Sequence, residues 1–362
     1  MNRNKNLIAG LPLLLASFTA SAQTGVTLYG IADMGVTYAS GSLGHKLLVG
    51  SGQLSASRLG FKGVEDLGGG LSASFNLEAG LNLDSGVGVS TSTNNQASGV
   101  TSGGGLTFNR VSYLGLASKT WGELRLGRDY APTFNGHVNY DPAFLTGAGT
   151  SQTGTGSLTV FAAPNGARSS NGISYYTPQI GRFSAQAMVG LGENAQDGSA
   201  SEKDGYYHGA RVNYVDGPLD LSLAGGHYQR AAVADMDEWV LGAAYVLGPV
   251  KLLGIYLRND TGNSTDVTAA MLGATYSVGV TTFKTSLSRS TAKAANGAPA
   301  GSTTKLMLGA TYALSKRTQL YVTGAATHNS DGAAAVPSSQ GGAVTGPNRG
   351  ARALDLGVRH IF

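Results

Sequence analysis

The chain has 362 residues, 55 of them glycine and none cysteine, and its charged share of 13% is near half the roughly 25% of an ordinary soluble domain. No disulfide framework can staple it, and the formal net charge of +4, which includes Arg3 and Lys5, offers no basic footprint for nucleic acid. Past the N-terminus no window of about 18 apolar residues occurs, so spanning helices are excluded, and a surface this poor in charge must face something other than water.

In chain order, Arg3 and Lys5 precede an apolar stretch over 7–18, and Ala20, Ser21 and Ala22 follow as a small-residue cleavage site. That is the pattern of a secretory signal peptide, with cleavage expected between Ala22 and Gln23. Residues 1–22 are then lost and 23–362 remain, carrying 23 basic and 21 acidic residues. After the signal come about sixteen segments of period-two or extended character. The connections between them alternate in length. Short, polar or glycine-rich turns are expected at 65–70, 118–121, 178–181, 215–218, 248–249, 278–279 and 315–317. Long connections are expected at 39–53, 85–106, 131–170, 192–205, 230–237, 260–267, 291–302 and 330–351. Short turns on one rim and long loops on the other describe an all-β, antiparallel transmembrane barrel, whose even strand count returns both ends to the short-turn rim.

Individual segments carry the same signal. Over 71–84, Leu71, Ala73, Phe75, Leu77, Ala79, Leu81 and Leu83 alternate with Ser72, Ser74, Asn76, Glu78, Gly80, Asn82 and Asp84. One face suits lipid and the other water. Tyr214, Tyr245, Tyr276 and Tyr312 each follow a Gly-Ala pair and precede a short turn, where a girdle at headgroup level belongs. Their spacing also approaches the period of a propeller blade, but a propeller accounts for neither the low charge nor the apolar outward faces. At the C-terminus Leu354, Leu356, Val358, His360 and Phe362 share one face while Asp355, Gly357 and Arg359 share the other, so the chain ends as a strand.

Five ordered blocks then carry a resemblance: GVTLYG over 25–30, SRLGFKGVEDLG over 57–68, FNR over 108–110, LGRDY over 126–130 and GVRHIF over 357–362. Together they resemble the general diffusion porins of Gram-negative outer membranes, in the β-proteobacterial branch, across the whole mature chain. The resemblance implies a sixteen-stranded barrel in the cell outer membrane, a homotrimer, and passive diffusion of small hydrophilic solutes and ions. It also implies that the third long loop, here 131–170, folds into the lumen opposite a ladder of basic side chains. The matching ladder positions are Arg58, Arg110 and Arg128, joined by Lys62 and Arg168 through strand parity and proximity, with Asp129 and Asp141 as the opposing acids. More guanidinium than carboxylate in a narrow passage predicts a modest anion preference. Ile31 stands where enterobacterial members carry a lysine. Arg128 shares parity with Leu124 and Leu126, so simple alternation points it at lipid at a cost of roughly 2 to 4 kcal/mol; a β-bulge before the loop is expected to turn it inward, the alternatives being a wall that faces a neighbouring subunit or an Arg128 that does not belong to the ladder. Further implied partners are lipopolysaccharide, outer-membrane lipid and the barrel-assembly machinery, which would read the terminal Phe362.

Catalysis has thin support. The histidines at 45, 137, 208, 227, 328 and 360 fall in loops, at rims or on the outward face. Ser302 to Lys305 fits S-x-x-K without its companion motifs, and no metal-ligand spacing or phosphate-loop lysine occurs. Neither a cofactor nor a catalytic residue is expected. Glu193, Asp197, Glu202 and Asp204 suit a solvated loop better than a divalent-cation site between lipopolysaccharides. The alternative reading is a substrate-specific channel for a particular anion or sugar, and an adhesin resting on its loops is weaker still.

Overall fold

A computed structural model describes residues 25–101, 104–151, 167–199, 201–231, 234–262, 265–337 and 344–362. The expected signal peptide lies outside them. The strands are β1 (Gly25–Gly41), β2 in two pieces (Gly44–Ser51 and Arg58–Gly68), β3 (Leu71–Asn82), β4 (Val111–Ser118), β5 (Gly122–Tyr130), β6 (Arg168–Tyr176), β7 (Phe183–Gly190) and β8 (Tyr207–Asp216). They continue as β9 (Leu219–Tyr228), β10 (Met236–Leu247), β11 (Val250–Asp260), β12 (Asp266–Val278), β13 (Thr281–Lys293), β14 (Pro299–Ala313), β15 (Thr318–Ser330) and β16 (Ala351–Ile361). Each pairs antiparallel with the next, and β16 pairs with β1 from Ile31↔Ile361 to Gly41↔Ala351. The sheet is therefore a closed sixteen-stranded barrel with no free edge, which lets every strand satisfy its backbone groups inside lipid.

Closure is completed by the last residue. Phe362 and Gly30 exchange both backbone hydrogen bonds, at 3.0 and 3.1 Å, and the phenyl ring lies where a Cβ on Gly30 would sit. On the outer wall, leucines and valines such as Leu114, Leu223, Leu272 and Leu308 are exposed, as a lipid-facing band requires. Tyr245, Tyr276 and Tyr312 stand exposed on that wall beside the short turns, and the Tyr214 ring packs 5.0 Å from Phe183. His360, also on the outer wall, lies 2.9 Å from the Thr318 hydroxyl.

Two connections are shorter than expected. The 39–53 segment is mostly strand: β1 runs to Gly41, β2 restarts at Gly44, and Leu47 and Val49 alternate outward within what composition alone marks as a Gly/Ser loop. Similarly, β13 and β14 run on to Lys293 and from Pro299 across a register shift. Strand pairing above the membrane tolerates polar, small residues because neither face there needs to be apolar.

The break in β2 has its own cause. Residues 52–57 leave the ladder and fold inward over the buried Asp33, whose carboxylate accepts the Leu54 and Ser55 amides at 2.9 and 2.6 Å while its backbone oxygen accepts from Gly52 and Ser57. A larger segment also enters the lumen, between β5 and β6. It contains one helical turn (Pro132–Asn135) and two 3-10 turns, Val138–Tyr140 and Gly147–Gly149. Its seat is the inner face of β7 to β12, where Met188, Tyr207, Tyr228 and Met236 pack with Phe134, and Ala244, Leu253, Ile255 and Met271 pack with Tyr140. The wall makes room for it: a Cβ on Gly242 would meet the Tyr140 ring. Tyr140 donates to Asp220 at 2.7 Å, Asp355 accepts the Ala148 amide at 2.6 Å, and the buried Lys305 donates to the carbonyls of Thr150 (2.5 Å) and Pro337 (2.8 Å). The loop is thus held by apolar burial along its middle and by charge-assisted bonds at its tip.

Candidate pore constriction

Inside the barrel, the inward loop and the facing wall leave a cavity of about 790 Å³. Five guanidinium groups line it: Arg58 from the second piece of β2, Arg110 just before β4, Arg128 from β5, Arg168 from the start of β6 and Arg359 from β16. Strand parity explains three of them directly. Arg359 continues the inward row of Asp355 and Gly357, while Leu354, Leu356 and Val358 face out. Arg58 pairs with Gly80, and Arg110 extends the β3 ladder by donating its backbone amide to the Glu78 carbonyl at 3.1 Å.

Arg128 needs a local irregularity, and the β5–β6 ladder supplies it. The register passes from Gly127↔Gly172 to Asp129↔Ser169, so Ser170 and Asn171 together oppose Arg128. Gly127 at φ +128° and Asn171 at φ +53° absorb the extra residue in conformations that glycine and asparagine tolerate best. The side chain turns into the lumen, where Nε donates to the Asn109 carbonyl at 2.5 Å and Nη1 to the Ser170 hydroxyl at 2.8 Å.

These cations are spaced by few acids. Glu78 Oε1 lies 2.6 Å from Arg110 Nε and 3.6 Å from Arg58 Nη1, and its other oxygen lies 3.0 Å from the Tyr29 hydroxyl. Arg110 and Arg168 both donate to the Tyr130 hydroxyl, at 2.8 and 3.0 Å, and Arg168 also stacks over that ring at 4.5 Å. Arg359 is held by Ser55 and Gln319 at 2.8 and 2.7 Å. Neutral oxygens thus orient much of the cluster, which fixes the arginines without cancelling their charge.

The remaining expected residues sit elsewhere. Lys62 is further along β2, 5.1 Å from the Tyr29 ring centroid, and does not line the cavity. Asp129 and Asp141 do not line it either. Asp129 is bonded to Arg125 (3.1 Å) and Tyr176 (2.9 Å), whereas Asp141 is buried inside the loop, accepting the amides of Ala143 and Ser151 at 2.6 and 2.8 Å. Both were expected to oppose the arginines; each instead finds closer donors, and a carboxylate so occupied organises backbone rather than the passage. Phe362 closes the ladder at the other rim.

Sequence reasoning missed Glu78, Arg359 and Arg125. The first two had a signal, since Glu78 falls on the polar row of its alternating strand and Arg359 on that of the last. Arg125 lies on the polar row of β5 but is consumed by Glu123 and Asp129 and sandwiched between Tyr113 and Tyr176, at 4.4 and 4.3 Å from the ring centroids. Among the described residues no group of His, Cys, Asp and Glu gathers to hold a metal ion.

Comparison with known proteins agrees with this architecture. The family model described as Gram-negative porin matches residues 9–332. Outer membrane porin protein 32 of Delftia acidovorans is 36% identical over 379 residues, covering 99% of each chain, and an outer membrane porin protein of Bordetella pertussis is 29% identical, covering 90% of this chain and 94% of that one. The solved anion-selective porin from Comamonas acidovorans superposes with a TM-score of 0.79 at 32% identity, covering 94% of this chain and all of that one. By its closed barrel, its inward loop and its whole-chain similarity, the chain belongs to the Gram-negative porin family.

Proposed function

We propose that this chain is a non-enzymatic outer-membrane channel for passive diffusion of small hydrophilic solutes and ions, with a preference for anions. One observation carries the sign: five guanidinium groups line the constriction, and no Asp or Glu lines it among the described residues, with Glu78 pairing from behind two of the five. A passage walled by protein has a lower effective dielectric than bulk water, so that imbalance produces a positive potential which concentrates anions and repels cations. The anion-selective relative from Comamonas acidovorans supports the same sign. In this reading Arg58, Arg110, Arg128 and Arg168 set the field, with Arg359 added. Residues 1–22 are a cleaved signal, the mature barrel starts at Gln23, and three copies assemble in the membrane beside lipopolysaccharide after delivery by the barrel-assembly machinery.

The reversal potential of the purified porin in a planar bilayer under a potassium chloride gradient is the test. Chloride carrying most of the current is expected; potassium carrying most of it would falsify the anion reading. Migration of unheated against heated protein on a gel checks the trimer, and N-terminal sequencing of the mature chain checks cleavage before Gln23.

A further inference from the structure

The constriction is not lined by charge alone. At the tip of the inward loop, Phe144 and Leu145 line the same cavity as the five arginines, and Ile31 and Val138 extend its apolar part. Phe144 is 52% exposed, an unusual state for a phenyl ring facing the water of a channel. Its backbone is held in an uncommon form as well. Phe144 has φ +50° and Leu145 φ +61°, consecutive left-handed residues that are not glycine and persist only where the surroundings impose them. The surroundings do impose them: Asp141 ties the amides of Ala143 and Ser151, and the Thr146 hydroxyl lies 2.7 Å from the Ala143 carbonyl and 3.0 Å from that of Leu54. A loop built only to narrow a pore for inorganic ions has no need to display two large apolar side chains at such a turn. The Lys284 ammonium, 5.7 Å from the Phe144 ring centroid, adds a further cation beside the ring.

We propose that the constriction is a weak transit site for amphiphilic monocarboxylates, such as aryl or branched-alkyl acids. The carboxylate is taken by the guanidinium groups and the apolar body rests on Phe144 and Leu145. Such a site lowers the barrier for a solute with both features, provided binding stays weak enough for release. Ile31 fits the same picture, since it presents hydrocarbon to the lumen beside Arg58, its ladder partner. The inference rests on the anion-preferring reading above and adds a class of solute to it.

The test uses the full-length purified porin in planar bilayers, with chloride as the current carrier and sodium benzoate or sodium acetate as probes. Benzoate is expected to halve the chloride current at a concentration about tenfold below that needed with acetate, the selectivity that partial burial of a ring against the loop tip supplies. Asparagine tolerates the left-handed region, so F144N and L145N remove the apolar surface with the least disturbance of the turn. Both substitutions together should bring the benzoate-to-acetate ratio close to one, and I31T on the rigid wall should reduce it in part. Because the readout is a ratio, a change in baseline chloride conductance common to both probes cancels. Equal block by the two probes in the unaltered channel, or a ratio that survives in both F144N/L145N and I31T, overturns the inference. If chloride dominates the reversal potential while the probes block equally, the transit site alone fails; if potassium dominates, the anion reading beneath it fails as well.

Discussion

The two inner walls of this barrel are built on opposite principles. On β10 to β12 the inward row is mostly apolar or glycine, with Val240, Ala244, Leu253, Ile255, Leu257, Ala269 and Met271 buried and Glu238 and Asn259 as buried polar exceptions, while the outward row of the same strands is also largely apolar. On β2, β5, β6 and β16 the outward row is apolar and the inward row carries arginine. The first wall is dry because the inward loop covers it, and the second is wet because it faces the passage. A transmembrane strand apolar on both faces therefore marks the seat of an inserted segment, just as strands buried on both faces in soluble sheets lose alternation.

The largest way to break this division is to evict the loop. G242L drives a side chain into the Tyr140 ring and should cost roughly 1 to 3 kcal/mol of loop seating, with larger and noisier single-channel conductance. Unchanged conductance would show that the loop is held at its tip alone. Next in size is the wet wall. R110S removes the closest partner of Glu78 and leaves it only the longer ion pair with Arg58 at 3.6 Å, so the reversal potential should move further toward potassium than it does in R110S/E78Q; equal shifts would mean Glu78 does not sense the passage.

The tip of the loop sharpens the comparison, because there the loop leaves the dry wall and is held by charge from β14 and β16. D355N weakens the bond to the Ala148 amide and K305M removes the donor to Thr150 and Pro337, each at about 1 to 3 kcal/mol for a broken charge-assisted bond. Both should raise protease access to the loop without lowering assembled protein. Deleting Phe362 should do the reverse, lowering assembled protein on a gel while surviving channels conduct normally. The smallest effect is in pH. His137 lies in the inward loop, where burial pushes its imidazole below the ordinary histidine range. Its lowered value means the released loop binds the proton more readily than the seated one, so seating is full above the ordinary value of about 6.5 and weakens as pH falls below it. Current noise should rise modestly between pH 7.5 and pH 5, and H137N should abolish that rise.

Much of this was legible in the chain. Alternation in β3 and β16 announced the barrel, because lipid outside and water inside impose period two directly on the sequence. The terminal strand was readable for the same reason. The loop boundaries at 39–53 and 291–302 were not, since above the membrane neither face is constrained and small polar residues fit strand and loop alike. Glu78 and Arg359 stood on polar rows in plain sight, yet a parity argument places a residue on a face without saying which other strands share its height.

By itself, then, the sequence determined that the protein is exported, strand-built and apolar outward, because those properties follow from local composition and period. Only the tertiary structure decided which charges meet. Arg128 reaches the lumen through an extra residue in the neighbouring strand, and Asp129 and Asp141 are occupied by Arg125, Tyr176 and backbone amides rather than by the passage. The choice among partners for a charged group depends on distances across the barrel, and those are set by closure and by the seat of the inward loop, neither of which any one segment encodes.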